Sequence, residues 1–208
     1  MLLQLPTRFV LASALAAWCG SAGWSLPAQA SPAAVLLIRH GHKDGNPANF
    51  NLSRQGLERS MALAGLIPTC FGKVSRIVSY AFSPDTGKNA RTYQSAVALA
   101  LATGVNIRVD SDSATDSRQA GQRILADPAS RAGLVVAFWE NRRLPLLASG
   151  LGWAAMPAMA DDDFDALHLL RYDTGSRVPS VLRFSQSQLL EGRQRCPLKP
   201  PAANAPVR

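Results

Sequence analysis

Three consecutive residues, Arg39, His40 and Gly41, could together carry out chemistry on a phosphoryl group. They follow directly on the apolar run 33–38, and a histidine that ends a buried strand has a fixed backbone and an exposed ring, as a nucleophile needs. The guanidinium of Arg39 is a permanent cation whose planar fork fits phosphate oxygens. Gly41 allows a sharp turn and keeps bulk away from a ligand. The simpler alternative is a surface Arg-His pair at the end of a strand.

A second cation, Arg91, lies in the first turn of a helix that we predict over residues 88–103. Backbone N–H groups and the helix dipole favour an anion at that end of a helix. Arg39 and Arg91 could therefore bind one phosphoryl group together while His40 attacks it. Lys88, which lies beside Arg91, shows that a basic helix start is not diagnostic, so an ordinary solvated arginine is the alternative.

The elements that must position these residues alternate along the chain, with apolar runs typical of buried strands and amphipathic spacing typical of helices. We predict strands over 33–38, 76–82, 105–109 and 133–138, helices from Ser53 to just before Pro68 and over 88–103, 117–126 and 142–151, and a final hairpin of 166–172 with 181–184. This order predicts an α/β fold, a three-layer sandwich with a mostly parallel sheet between helices. Ligands bind beyond the carboxyl ends of such strands. This rule indicates residues 39–40, 82–83 and 139–141 as candidate ligand-binding residues.

Two of the predicted helices have an apolar face that should pack on the sheet. We expect these faces to be formed by Leu57, Met61 and Ala64 in the first helix and by Tyr93, Val97 and Ala100 in the second. Ser53 is a good N-cap for the first helix, and Pro68 should lie just beyond its end. The acidic run 161–163 is predicted to be a solvated cap of a helix or strand.

Several segments resemble the signatures of one protein family. Residues 37–43 read Leu-Ile-Arg-His-Gly-His-Lys, residues 52–56 read Leu-Ser-Arg-Gln-Gly, and residues 91–96 read Arg-Thr-Tyr-Gln-Ser-Ala. Together they resemble the histidine phosphatase (phosphoglycerate-mutase-like) superfamily. The later segments 138–145 and 162–165 resemble a small exported branch of that family. In combination, the segments cover most of residues 34–172.

The resemblance implies a role for each matching residue. His40 would accept the phosphoryl group, Arg39 and Arg91 would bind it, and water would then hydrolyse the phosphohistidine. A carboxylate would protonate the leaving oxygen; Glu140 is the first candidate, with Asp44 and Asp85 behind it. No metal or organic cofactor is implied, because the chemistry consists of positioning and charge stabilisation.

One position departs from the family pattern. The family places a second histidine after the strand predicted over 133–138, and this chain has Asn141 there. Asparagine can donate a hydrogen bond to the phosphate but cannot carry a positive charge. Losing one stabilising group of this kind can cost ~10²–10³ in rate. His42, at a position where many relatives have Glu, is a possible auxiliary residue that could supply the missing imidazole.

The first thirty residues have the pattern of a secretory signal peptide. Arg8 precedes an apolar stretch over 9–18, and Ala28-Gln29-Ala30 gives the small-x-small pattern of a cleavage site. We predict that residues 1–30 are removed and that the protein is exported, periplasmic or secreted, with no stable membrane insertion after cleavage. An uncleaved membrane anchor is the alternative, although the apolar stretch is short for one.

Removal of the signal would leave residues 31–196 as the predicted domain and 197–208 as a Pro/Ala-rich tail that we expect to be disordered. Two cysteines, Cys70 and Cys196, would remain. An even pair in an exported protein permits one disulfide, and two free thiols are the alternative.

The function that we predict is hydrolysis of a phosphate ester through a phosphohistidine on His40. The first alternative is a catalytically impaired member of the same family that binds phosphate but turns over slowly, because Asn141 replaces the second histidine. The net charge of +8 also permits a basic envelope protein that binds acidic surfaces. No Lys/Arg run with interleaved aromatic residues indicates a nucleic-acid groove, so we expect no nucleic-acid partner. The expected partner is a small-molecule phosphate ester or another phosphorylated substrate.

Overall fold

A computed structural model describes residues 32–110 and 116–197 of the chain. The predicted signal peptide and the tail from residue 198 onward lie outside the described residues. In chain order the elements are β1 (Ala34–Arg39), α1 (Arg54–Phe71), β2 (Val74–Tyr80), α2 (Ala90–Thr103), β3 (Ile107–Asp110), α3 (Ser117–Ala126), a 3-10 turn (Pro128–Ala132), β4 (Leu134–Trp139), α4 (Leu144–Gly150), β5 (Ala166–Arg171), β6 (Ser180–Ser185) and α5 (Gln186–Leu190).

The sheet has the strand order β3-β2-β4-β1-β5-β6. Strands β3, β2, β4 and β1 are parallel, and β5 pairs antiparallel to β1 and to β6. The predicted mostly parallel sheet and the final hairpin are therefore confirmed. The carboxyl ends of β1, β2 and β4 lie at one edge of the sheet, which is the edge that carries Arg39 and His40.

Helices cover both faces of the sheet, which confirms the three-layer sandwich. Along β1, Leu36 and Ile38 pack into the core beneath α1 and α2, while Val35 and Leu37 face the core beneath α3 and α4. All four side chains are at most 2% exposed. Since each face of β1 is buried, its sequence is a continuous apolar run rather than an alternating one.

The predicted faces of α1 and α2 were wrong in three of their six members. Leu57 and Met61 are 51% and 62% exposed, and Val97 is 37% exposed. The buried faces mix small or polar residues with apolar ones: Gly56, Ser60, Leu63, Ala64, Ile67, Cys70 and Phe71 in α1, and Thr92, Ser95, Ala96 and Leu99 in α2. Counting apolar residues alone misplaced these faces, because glycine, serine and threonine allow the helices to approach their neighbours closely.

Pro68 lies inside the last turn of α1 and not beyond it. The helix continues to Phe71, where Cys70 is fully buried and forms a disulfide with Cys196. Their Cα atoms are 4.7 Å apart and the residues are 126 positions apart in sequence. The permitted disulfide is therefore present, and it restricts the unfolded chain through a long loop. Within residues 32–110 and 116–197, no helix has both the length and the apolar character needed to span a bilayer.

Candidate active site

His40 lies just beyond the end of β1, where its backbone N–H donates to the carbonyl of Trp139 on β4 at 3.1 Å. Its ring is buried, with 7% of the residue exposed, so the expectation of an exposed ring was wrong. The edge of the Phe164 ring approaches it, with the ring centroids 5.9 Å apart. Nδ1 lies 2.9 Å from the Gly41 carbonyl oxygen, which can only accept a hydrogen bond. The proton is thereby assigned to Nδ1, and the Nε2 lone pair remains available for attack.

The surroundings of His40 keep the imidazole neutral. Burial, helped by the charges of Arg39, Arg91 and Lys43, lowers the pKa of His40 to about 4, against the opposing effect of the hydrogen bond to Gly41. A neutral ring with Nδ1 as donor is the form that a nitrogen nucleophile requires. The three cations that depress this pKa are also the charges that would attract a phosphate.

The guanidinium of Arg39 is held by a loop between α4 and β5. Its Nη1 donates to the carbonyls of Ala160 and Asp163, each at 3.0 Å, and its Nη2 donates to the carbonyl of Asp161 at 2.8 Å. The Arg39 Cζ atom lies 3.9 Å from the centroid of the Phe164 ring. Three backbone carbonyls and one aromatic face thus fix the plane of the guanidinium. We name residues 160–163 the Arg39 clamp.

Arg91 lies in the first turn of α2, as predicted, although the helix begins at Ala90 and not at Lys88. The later start coincides with Asn89, which has a left-handed backbone at φ 68°. Arg91 Nη1 donates to the carbonyl of Asn49 at 2.7 Å. Burial lowers the pKa of Arg91, and the charge of Asp44 opposes this shift.

Three buried side-chain nitrogens lack a hydrogen-bond partner among the described residues: Arg39 Nε, Arg91 Nε and His42 Nδ1. All three belong to residues that surround His40, which we call the phosphate cluster: Arg39, Arg91 and His42. A buried donor without a partner costs about 1–3 kcal/mol, so such groups are rare unless a ligand satisfies them. An anion bound between the two guanidinium groups would supply acceptors to both Nε–H donors.

His42 has a different environment from His40. Its ring stacks on Phe164 with centroids 4.4 Å apart. Burial lowers its pKa, and the charges of Arg59 and Arg39 lower it further while Asp165 raises it. Phe164 therefore contacts both histidines and Arg39. Sequence reasoning did not identify Phe164 as a site residue, because an aromatic residue after an acidic run has no distinctive spacing.

Asn141 is buried beyond the end of β4, which pairs with β1 through Trp139 and Arg39. Its Nδ2 donates to Asp161 Oδ1 at 2.9 Å. This hydrogen bond is the main cause that lowers the pKa of Asp161. The amide donor predicted for phosphate is therefore engaged, at least in part, by a carboxylate. The prediction that residues 161–163 form only a solvated cap missed this contact and the clamp on Arg39.

The three carboxylates considered as general acid lie in different settings. Glu140 is half-buried. Burial lowers the pKa of Arg39, and the negative charge of Glu140 is one of those that oppose this shift, which places Glu140 beside the site. Asp44 is exposed and accepts from the Asn46 N–H and from Asn49 Nδ2. Asp85 lies on an exposed turn. Burial and proximity to Arg39 thus favour Glu140.

Close contacts of α1 and α2 with the loop after His40 hold the site together. The Gly41 N–H donates to Ser95 Oγ at 2.8 Å, and the Ser53 hydroxyl caps α1 by accepting from the Gly56 N–H at 3.1 Å. A Cβ atom at Gly56 would lie 2.6 Å from the carbonyl oxygen of His42. This close approach explains why the segment 52–56 ends in glycine.

We expect Gly56→Ala to lower the free energy of unfolding by about 1–3 kcal/mol, since the added methyl group has to displace backbone. Gly65→Ala is the matched control in the same helix, because a Cβ atom there meets nothing within 4 Å. That change should raise stability by about 0.5–1 kcal/mol. Urea unfolding of both variants measures the difference, and equal stabilities would contradict the packing described here.

Comparison with solved structures supports the fold. The protein histidine phosphatase SixA complexed with tungstate aligns with a TM-score of 0.51 and 14% identity, over 75% of this chain and 99% of that one. A phosphoserine phosphatase from Entamoeba histolytica in complex with 3-phosphoglyceric acid aligns with a TM-score of 0.50 and 12% identity, over 76% and 98% of the two chains. No protein-family model matches the sequence, and no curated protein matches it. The chain therefore shares the fold of these two phosphatases.

Proposed function

We propose that this protein hydrolyses phosphate monoesters through a phosphohistidine on His40. The observation that carries the proposal is the pairing of a neutral imidazole, whose Nε2 lone pair is free, with two guanidinium groups whose buried Nε atoms have no partner in the part of the chain that the structure describes. A nucleophile and two unsatisfied cationic donors in one place suit the transfer of a phosphoryl group.

In the first step, Nε2 of His40 attacks phosphorus while the bond to the leaving oxygen breaks. Protonated Glu140 gives its proton to that oxygen, the leaving group departs as an alcohol, and the phosphoryl group stays on Nε2. The Nδ1–H of His40 still donates to the Gly41 carbonyl, which stabilises the positive charge of the phosphorylated ring. Arg39 and Arg91 stabilise the charge on the equatorial oxygens.

In the second step, a water molecule attacks the phosphorus and the bond to Nε2 breaks. The Glu140 carboxylate accepts a proton from this water, which restores the acid for the next cycle. Inorganic phosphate leaves, and His40 returns to the neutral form with its proton on Nδ1. No electron donor or acceptor enters either step.

The alternative proposal is a phosphate-binding protein with little turnover. The observation that favours it is the Asn141 side chain, which is neutral and already donates to Asp161. Binding of phosphate in the ground state would depend mainly on Arg39 and Arg91, whereas the transition state needs further positive charge. Steady hydrolysis of phenyl phosphate that yields inorganic phosphate distinguishes the two proposals.

The pH dependence gives a direct test of the nucleophile. Because the pKa of His40 lies at about 4 in the folded protein and at 6.5 when exposed, the ring should stay neutral, and available for attack, from pH 8 down to about 4. The unfolded chain takes up this proton first, so stability should fall as the pH drops from 6.5 towards 4. NMR titration of the imidazole resonances in phosphate-free buffer measures the pKa, with His40 assigned by its loss in His40→Ala. Titration of His40 at or above 6.5 would contradict this environment.

We also propose that the protein acts outside the cytoplasm. The signal pattern over residues 1–30 supports this proposal, and so does the Cys70–Cys196 disulfide, since such bonds persist mainly in oxidising compartments. The exported protein should begin at Ser31. Intact mass before and after reduction tests both points; a chain that still begins at Met1 would refute the cleavage.

A further inference from the structure

A cavity of about 580 Å³ lies beside the candidate active site, at the carboxyl ends of β2 and β4. Its walls include the segment 80–84 after β2, the turn at Lys88 and Asn89, and Glu140, Arg142 and Arg143 after β4. Ligand-binding clefts for small molecules typically have volumes of ~300–1,000 Å³. The cavity thus has room for a small organic molecule.

The charges that line this cavity are predominantly positive, with Lys88, Arg142 and Arg143 against the single carboxylate of Glu140. In the described parts of the chain, neither Lys88 nor Arg143 forms an ion pair, and Arg142 has only an exposed contact with Asp161 at 3.6 Å. Exposed pairs of this kind contribute little. The cavity therefore offers at least two cations with no competing internal partner.

Both of these cations are attached to well-held backbone. The loop before α2 is closed by the Ser83 N–H, which donates to the Lys88 carbonyl at 2.9 Å. On the other side, the Arg143 N–H donates to the Glu140 carbonyl at 3.0 Å. A site whose backbone is fixed before the ligand arrives loses less entropy on binding.

Glu140 connects the cavity to the reacting centre. The charge of Glu140 opposes the lowering of the Arg39 pKa, so Glu140 lies near Arg39. Glu140 also forms part of the cavity wall, whereas His40 does not. A carboxyl group that protonates the leaving oxygen has to contact that oxygen. The rest of the leaving group then extends past Glu140 into the cavity. Phe82, which is 36% exposed and packs on Tyr93 with centroids 5.6 Å apart, adds an apolar wall.

We infer that the substrate is a small phosphorylated acid, whose leaving group carries a second anionic group bound by Lys88 and Arg143. This inference rests on the proposed function, because it takes His40 as the nucleophile and Glu140 as the residue at the leaving oxygen. A carboxylate or a second phosphate would suit the two cations equally well, since both present acceptor oxygens with negative charge.

A pair of matched substrates tests the inference: 4-carboxyphenyl phosphate, which has the second anion, and its methyl ester, which has the same ring but no second charge. We expect kcat/KM of the wild-type protein to be at least tenfold higher for the acid than for the ester. In the double variant Lys88→Gln, Arg143→Gln, this ratio should fall to about one. A wild-type ratio of one or less, or a ratio that the double variant preserves, would overturn the inference.

The matched control is the double variant Lys73→Gln, Arg171→Gln, which removes the same two charges from the opposite edge of the sheet. Lys73 precedes β2, and Arg171 pairs with Ala34 at the start of β1. This variant should keep the wild-type preference for the acid, and a loss equal to that of the cavity variant would overturn the inference. Repeating the measurement with 1,4-phenylene bisphosphate and phenyl phosphate distinguishes a second phosphate from a carboxylate.

Calorimetric binding of the acid and the ester to His40→Ala separates failure of the inference from failure of the proposed function. Tighter binding of the acid, with no hydrolysis of either compound by the wild type, refutes the activity and supports the cavity assignment. Equal hydrolysis of both compounds, with equal binding, supports the activity and refutes the cavity assignment.

Discussion

Replacing His40 with alanine should lower kcat for phenyl phosphate by at least ~10³-fold, the scale on which enzymes lose rate when a nucleophile is removed. The lost group is the Nε2 lone pair, which the hydrogen bond from Nδ1 to the Gly41 carbonyl orients and leaves free. Binding of inorganic phosphate should persist, since Arg39 and Arg91 remain in place. A steady-state assay and calorimetry with phosphate measure the two effects separately.

The neighbouring histidine provides the matched control for this experiment. His42→Ala should lower kcat much less than His40→Ala does. The His42 ring stacks on Phe164, and among the described residues its Nδ1 has no hydrogen-bond partner that would orient it as a nucleophile. Phosphoenzyme trapped by alkaline quenching, where phosphohistidine survives, should carry its phosphoryl group on His40. A phosphoryl group found on His42, or a His40→Ala variant with wild-type kcat, would exclude His40 as the nucleophile.

Asn141→His should raise kcat by up to ~10²-fold, since it restores a group that can be positively charged where the transferring phosphoryl group builds up negative charge. The structure supplies a partner for this change. Asp161 already accepts a hydrogen bond from Asn141 at 2.9 Å, and a carboxylate at this distance favours the protonated form of an imidazole. Because the ground state depends mainly on the two arginines, KM should change less than kcat.

Three further variants make the Asn141 experiment decisive. Asn141→Gln keeps an uncharged amide and should show no increase in kcat. Adding Asp161→Asn to Asn141→His should remove part of the gain, because it removes the carboxylate that favours a charged ring. Adding His40→Ala should abolish activity. An unchanged, robust rate in Asn141→His would mean that another residue, with His42 the first candidate, already supplies the charge.

If none of these proteins hydrolyses a phosphate ester while phosphate still binds, the phosphate-binding alternative becomes the better account. In that case the three nitrogens of the phosphate cluster that lack a partner among the described residues still indicate a binding site, whether or not a reaction follows. Loss of phosphate binding in both Arg39→Ala and Arg91→Ala would then locate the anion, whereas unchanged affinity in both would place it elsewhere.

The sequence predicted the strands to within about two residues of their observed bounds, because β1 and β4 are buried on both faces and carry unbroken apolar runs. Helix α3 was predicted at its observed bounds. The face of α1 was misplaced for a physical reason. Gly56 and Ser60 are buried there, and the separation between helix and loop is set by the missing Cβ of Gly56 and not by apolar side chains.

Sequence reasoning placed Arg39, His40, Arg91, Glu140 and Asn141 at one edge of the sheet, and the structure brings them there. It did not predict the Arg39 clamp or the contact of Asn141 with Asp161. The clamp acts through main-chain carbonyls, which every residue has, so no side-chain pattern can reveal it. The Asn141–Asp161 contact joins residues 20 positions apart, with α4 and an irregular loop between them, so their spacing in the sequence does not indicate that they meet.

The Arg39 clamp has a consequence for how this protein could be redesigned. A guanidinium held by carbonyl oxygens depends on the path of the loop and not on the chemical identity of each side chain along it. Asp162, whose carbonyl is not one of the three acceptors, could be randomised in a library while the Arg39 guanidinium keeps its position. Deleting or inserting a single residue in the loop would move all three acceptors at once. The length of this loop is thus constrained, and so are Asp161 and Asp163, whose side chains have partners, whereas position 162 is open to selection for new substrates.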